Sequence, residues 1–270
     1  MRFLWSLIFL TAFPFSAFCL GEDQFFIQHL DNRNGLSNSA VNCTFQDKDN
    51  ILWIGTWDGL NRYDGSSFHV FSYGAKSGLN SIDNNIIQSI AEDRNNNIWI
   101  STIEGISRYH KGSGTFHNYF YNHSRKSPVS EQEFKITVNS RGYVVCWAQP
   151  FGMAYYDLKA DSFRILKLPR QPASVAKMQF DAADNLWVLD SDGTLEVFAQ
   201  RGGGFNLLRR YQSADKIAGF FYANNRLFYS TAGGRLAEID HRTLEDSSVL
   251  QLEHPVRAIG YYKKHYLLAS

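Results

Sequence analysis

Apolar and polar positions alternate along this chain in short bursts, each closed by a turn. Ala40–Gln46 places Val41, Cys43 and Phe45 on one side and Asn42 and Thr44 on the other, the two-residue period of a half-buried strand. Asp47-Lys48-Asp49-Asn50 follows with turn composition, because Asp and Asn bond their own backbone and tolerate left-handed geometry. Ile51–Thr56 reads as a second strand, and Trp57-Asp58-Gly59 turns the chain again, with Gly59 supplying the positive φ of a tight hairpin. Leu60–Tyr63 is the third strand, Asp64-Gly65 the next turn and Phe68–Tyr73 the fourth strand. A sustained 3.6-residue period is missing throughout, so the pattern predicts an all-β fold.

The four-strand unit repeats. Asp47–Tyr63 laid over Asp93–Tyr109, at an offset of 46 residues, gives eight identities in 17 positions, among them Asp47/Asp93, Trp53/Trp99, Thr56/Thr102 and Gly59/Gly105. Asp181–Gly193 is a further copy that keeps Asp181, Asn185, Trp187 and Gly193, and weaker copies run through Asn139–Asp157 and Asn224–Leu236. A sixth begins at Val256. A period of about 40–47 residues is that of a four-stranded propeller blade. The sequence therefore predicts a β-propeller with five complete blades and the opening two strands of a sixth. The chain stops in mid-strand at Tyr266–Ser270, and we expect a truncated seven-bladed propeller. Trp53, Trp99 and Trp187 are expected to pack between neighbouring blades, and Asp47, Asp93 and Asp181 to serve turn chemistry.

Composition adds boundaries. Hydrophobic residues form 44% of the chain and charged residues 20%, enough apolar surface for a packed core. A net charge of +1 without a basic stripe gives nucleic-acid binding no electrostatic footprint. Arg2, the apolar run Phe3–Phe13, Pro14 and the small residues Ser16 and Ala17 read as a signal peptide spanning 1–21. Residues 22–270 then form the incomplete propeller, with a lone strand expected at Phe25–Leu30. Cys43 and Cys146 fall in different repeats and are expected to remain unpaired.

The run Leu52-Trp53-Ile54-Gly55-Thr56, then Gly59-Leu60 and Tyr63-Asp64, resembles the two-component regulator propeller repeat, as do the leading Gly35-Leu36-Ser37-Asn38-Ser39-Ala40-Val41 and the later Gly78-Leu79. The resemblance is specific in the first two repeats and weak from Glu133 onward. It implies the periplasmic sensor region of a hybrid two-component histidine kinase that detects oligosaccharides and controls polysaccharide utilisation. It also implies a homodimeric ectodomain and a parent anchored in the inner membrane through a C-terminal part that this chain lacks. A nucleotide-binding glycine motif and a kinase histidine motif are both missing, so this chain itself is expected to be no enzyme.

Little else in the sequence carries chemistry. The histidines lack metal-ligand spacing, and His110, His117 and His123 read as loop residues. Gly202-Gly203-Gly204 reads as a turn rather than a phosphate cradle, and neither metal nor cofactor is implied. The turns between second and third strands should open on one face of the disc. There Trp57, Trp147 and Phe151 could stack on a pyranose ring, while Asp58, Glu104 and Gln149 hydrogen-bond its hydroxyls. Two other readings stay open: a secreted propeller glycosidase or lyase using paired carboxylates, and a non-enzymatic adhesion or assembly module.

Overall fold

The turn residues and alternating strands assemble as the repeat predicts. In the computed structural model, the described residues are 29–74, 80–119, 134–149, 151–201, 204–240, 242–262 and 265–269. The expected signal peptide, the turn at Gly202-Gly203 and most of the expected strand Phe25–Leu30 lie outside them. After a three-residue 3-10 turn at Asn32–Asn34, the first blade comprises β1 (Val41–Gln46), β2 (Leu52–Thr56), β3 (Gly59–Tyr63) and β4 (Phe68–Phe71). The second comprises β5 (Ile87–Glu92), β6 (Asn97–Thr102), β7 (Ile106–His110) and β8 (Thr115–Tyr119). The third is β9 (Phe134–Val138), β10 (Val144–Ala148), β11 (Gly152–Asp157) and β12 (Ser162–Ile165). The fourth is β13 (Lys177–Phe180), β14 (Leu186–Leu189), β15 (Leu195–Arg201) and β16 (Gly204–Tyr211). The fifth is β17 (Ile217–Ala223), β18 (Arg226–Thr231), β19 (Arg235–Ile239) and β20 (Asp246–Gln251), and the hairpin β21 (Ala258–Tyr262)–β22 (His265–Ala269) opens a sixth. Every sheet is antiparallel with its strands in sequence order.

The apolar core is divided among the interfaces between blades. Trp53, Leu60, Ile87, Ile98 and Ile100 fill the first interface, with Phe71 and Tyr109 against them. Trp99, Ile106, Phe134 and Val144 fill the second. Trp187, Tyr211, Phe220 and Tyr229 occupy the fourth. Each of the three repeated tryptophans is fully buried and its indole Nε1 donates to the aspartate six residues earlier: Trp53 to Asp47 at 2.9 Å, Trp99 to Asp93 at 2.8 Å and Trp187 to Asp181 at 2.9 Å. The other oxygen of each carboxylate accepts the backbone amides that close the turn, those of Asp49 and Ile51 in the first copy. At the fourth position of that turn Asn50, Asn96 and Asp184 adopt positive φ near 60°, the left-handed geometry their short polar side chains permit.

Two local departures from the pattern have physical causes. Val41 is exposed, whereas Ile87 and Ile217, which begin the same one-residue bulge in their own blades, are buried against the blade before them; among the described residues no blade precedes the first to cover Val41. In the third blade Val145 stands where the first, second and fourth repeats carry tryptophan. Trp147, two residues along and therefore on the same strand face, fills the interface with the fourth blade beside Met178, Val188 and Phe198.

Candidate functional site

The first strand of each blade lies innermost. Residues of β1, β5, β9, β13, β17 and β21 line one central cavity of about 890 Å³. At one mouth of this channel β2 returns so that Thr56 faces Val41, and Thr102 likewise faces Ile87. The turns between second and third strands therefore sit at that mouth, where the sequence places the candidate ligand contacts.

Trp57 is 59% exposed, and its indole Nε1 donates to Oδ1 of Asn42 on β1 at 2.9 Å. Asn42 in turn donates from Nδ2 to the Ile87 carbonyl of the next blade at 2.9 Å, so the indole is pinned beside the channel opening. Asp58 accepts from Nδ2 of Asn85 at 2.9 Å, and Oδ1 of Asn85 takes the Tyr73 amide at 2.6 Å. Glu104 is exposed on the equivalent turn, its amide held by Oγ1 of Thr102 at 3.1 Å. Gln149 is exposed and Phe151 is 56% exposed on the turn between β10 and β11. Gly59 has φ of 117°, and a Cβ there would meet the Phe71 carbonyl oxygen at 2.8 Å, so the turn that presents Trp57 and Asp58 requires glycine.

Trp147 must be corrected. It belongs to β10 rather than to the turn, is only 4% exposed, and is spent on the blade interface in place of the tryptophan that the third repeat lacks. It has no face left for a ligand.

Sequence reasoning missed the basic residues of the channel. Lys135 and Lys177 line it from neighbouring blades, and Arg257 lines it just ahead of β21. The Lys177 ammonium donates to the Phe220 carbonyl at 2.7 Å and lies 5.1 Å and 4.9 Å from the ring centres of Phe220 and Phe221. Burial lowers its pKa from the ordinary lysine value. Cys43 also faces the channel. Burial pushes its thiol up to about 12, only partly offset by the Gly55 backbone and Lys135, so it remains protonated and unreactive at neutral pH. Cys43 and Cys146 are both free thiols.

At the opposite end Asp47, Asp49 and Glu92 bring carboxylate oxygens close enough to hold a cation. The Lys111 ammonium already fills the space, at 3.2 Å from Asp47 and 2.5 Å from both Asp49 and Glu92. This cluster ties the first two blades together and offers a metal no vacancy. His110 bonds Ser113 and His117 lies 3.9 Å from Asp161, both on outer strands; His123 lies outside the described residues. Among the described residues, no helix is long and apolar enough to cross a membrane.

No curated protein matches this sequence. Among solved structures, the chain is similar to the extracellular domain named for the hybrid two component system BT3049 of B. thetaiotaomicron. The TM-score is 0.69 at 22% identity, over 90% of this chain and 34% of that one. PorZ of Porphyromonas gingivalis, a surface component of the type-IX secretion system, gives 0.63 at 13% identity over 89% and 31%. Virginiamycin B lyase of Staphylococcus aureus gives 0.62 at 12% identity over 85% and 77%. At these identities the likeness is one of fold, and the chain spans about a third of the length of the first two. Residues 35–58 and 81–104, which carry Trp57 and Glu104 into the channel mouth, match the family described as two component regulator propeller. The chain thus carries two-component regulator propeller repeats in its first two blades.

Proposed function

We propose that this chain is the ligand-sensing propeller of a hybrid two-component sensor and that its ligand is an oligosaccharide taken at the channel mouth. In this reading the chain is exported and works by binding; the parent protein, a homodimer anchored in the inner membrane, carries the kinase. The observation that carries the reading is Trp57, an exposed aromatic face fixed by Asn42 at the opening of a channel lined with amides, hydroxyls and ammonium groups. An indole held in place stacks on the apolar face of a pyranose without losing freedom of its own, and polar neighbours then read the hydroxyls. Phe151 offers a second exposed ring, and Asp58, Glu104 and Gln149 supply hydrogen-bonding groups on the neighbouring turns. Such a ligand moves a signal only by favouring one ectodomain arrangement over another.

Calorimetric titration of the full chain with a panel of neutral and acidic trisaccharides tests this. Trp57→Ala is expected to weaken the tightest member about ten-fold, the equivalent of one good stacking contact. Unchanged affinity, or no binding by any member, overturns the proposal.

A further inference from the structure

The charges that line the channel do not balance. Four charged side chains contribute to its wall: Glu92, Lys135, Lys177 and Arg257. The single carboxylate is spent, since Oε1 of Glu92 accepts from the Lys111 ammonium at 2.5 Å and Oε2 from the Lys48 amide at 2.9 Å. It also stands at the far end of β5, opposite Ile98 and near the Asp47 turn. The three cations gather at the other end. Lys135 is the second residue of β9, Lys177 the first of β13, and Arg257 directly precedes β21. Lys135 pairs with Trp147 and Lys177 with Leu189, each within the first two rungs of its ladder at the mouth that bears Trp57. Among the described residues none of the three has a carboxylate partner. The ammonium of Lys177 has one carbonyl and two aromatic faces around it, which leaves a half-buried cation with donors to spare. A desolvated cation without a counter-ion is costly unless something else supplies the negative charge.

We propose that the channel mouth selects an anionic saccharide, one bearing carboxylate or sulfate groups, with Lys135, Lys177 and Arg257 taking the acidic substituents while Trp57 takes the ring. The inference rests on the sugar-sensing role proposed above and narrows it. Low local dielectric strengthens each such contact, and the enclosing walls focus the positive potential toward the opening.

The test uses the full chain and four probes: trigalacturonate, galactotriose as its neutral counterpart, a chondroitin sulfate disaccharide and sodium sulfate. At least one acidic saccharide is expected to bind about ten-fold or more tighter than galactotriose, the worth of one charge-assisted hydrogen bond. That preference is expected to shrink as sodium chloride is raised. Lys135→Gln and Arg257→Gln each weaken the acidic saccharide several-fold and leave galactotriose unchanged. Both side chains lack a hydrogen-bond partner among the described residues, so these variants keep the fold; Lys177→Gln, which loses its tie to Phe220, is read only alongside a matching melting curve. Galactotriose binding as tightly as both acidic saccharides overturns the anionic preference and leaves the sugar reading standing. Sodium sulfate binding as tightly as the acidic saccharides overturns it in favour of a free anion. If none of the saccharides binds, both proposals fall.

Discussion

Asp83 is a carboxyl that its place in the fold pushes above the ordinary carboxylate range. It is 4% exposed, and its Oδ1 accepts from the hydroxyls of Thr102 at 2.9 Å and Ser107 at 3.1 Å, while Oδ2 has no partner. Burial raises its pKa to about 6 against those two hydrogen bonds. A carboxyl whose folded pKa exceeds its unfolded one binds more protons when folded, so stability falls as pH rises from about 4 through about 6. The first blade solves the same junction without charge. Ser37 stands in place of Asp83 and Asn61 in place of Ser107, and Asn61 both accepts the Ser37 amide at 2.9 Å and donates to its hydroxyl at 2.8 Å. Exchanging the second blade to match (Asp83→Ser with Ser107→Asn) is expected to stabilise the chain by about 1–2 kcal/mol at pH 7. Urea melts at pH 4 and pH 7 check it, and an unchanged pH slope refutes it. Such pairings are beyond sequence reading, because Asp83 and Ser107 are distant in the chain and of ordinary residue type. Asp47, Asp93 and Asp181 were legible as turn formers and Trp53, Trp99 and Trp187 as core, since type and spacing recur. That each indole reaches back to its aspartate was not legible. The third blade shows what the pair contributes: Asn139 and Val145 replace it, and Nδ2 of Asn139 is left buried without a partner.

The strands of the first blade were readable to within a residue or two, because period-two alternation and turn residues agree with each other there. Misreadings arose where a neighbouring element decided the outcome. Trp147 looked like a turn residue until its interface with β14 and β15 was visible, although its two-residue distance from Val145 carried the signal. Packing between elements also sets narrow tolerances. A Cβ on Gly55 of β2 would lie 2.6 Å from both Sγ of Cys43 on β1 and Cγ2 of Ile87 on β5. Gly55→Ala is therefore expected to destabilise by about 1–3 kcal/mol, measured by urea titration; a neutral result would mean that β1 and β5 part easily. Electrostatic ties join elements as well. Asp161, after β11, accepts from Arg108 at 2.9 Å, Tyr119 at 2.7 Å and Tyr156 at 2.5 Å. Burial alone would push its carboxyl up, but the two phenols, Arg108 and His117 hold it down at about 2. The stability this adds is present above about pH 4 and lost as pH falls through about 2. Asp161→Asn should melt lower than the parent at neutral pH and lose less of its stability between those limits.

Across the whole disc, the residues proposed for binding and those that hold the fold are different. Trp57 stands outside the apolar clusters, so Trp57→Ala is expected to change stability by no more than about 1 kcal/mol, the worth of its hydrogen bond to Asn42, while saccharide affinity falls about ten-fold. A large drop in melting temperature would instead assign this ring to the scaffold. The channel was the least legible part of the molecule. Repeats announce which strand is innermost in each blade, but not which side chains from six strands meet around one axis. Lys135 and Lys177 betray themselves only once their ladders are aligned. The division of the core among blade interfaces has a final meaning for how such a chain changes over generations. A blade has no interior of its own; each of its two faces is half of a pocket completed by someone else. Replacing one entire blade with a foreign one should thus fail at two borders, whereas grafting the back of one sheet together with the front of the next should succeed, which makes the border, rather than the sheet, the heritable module.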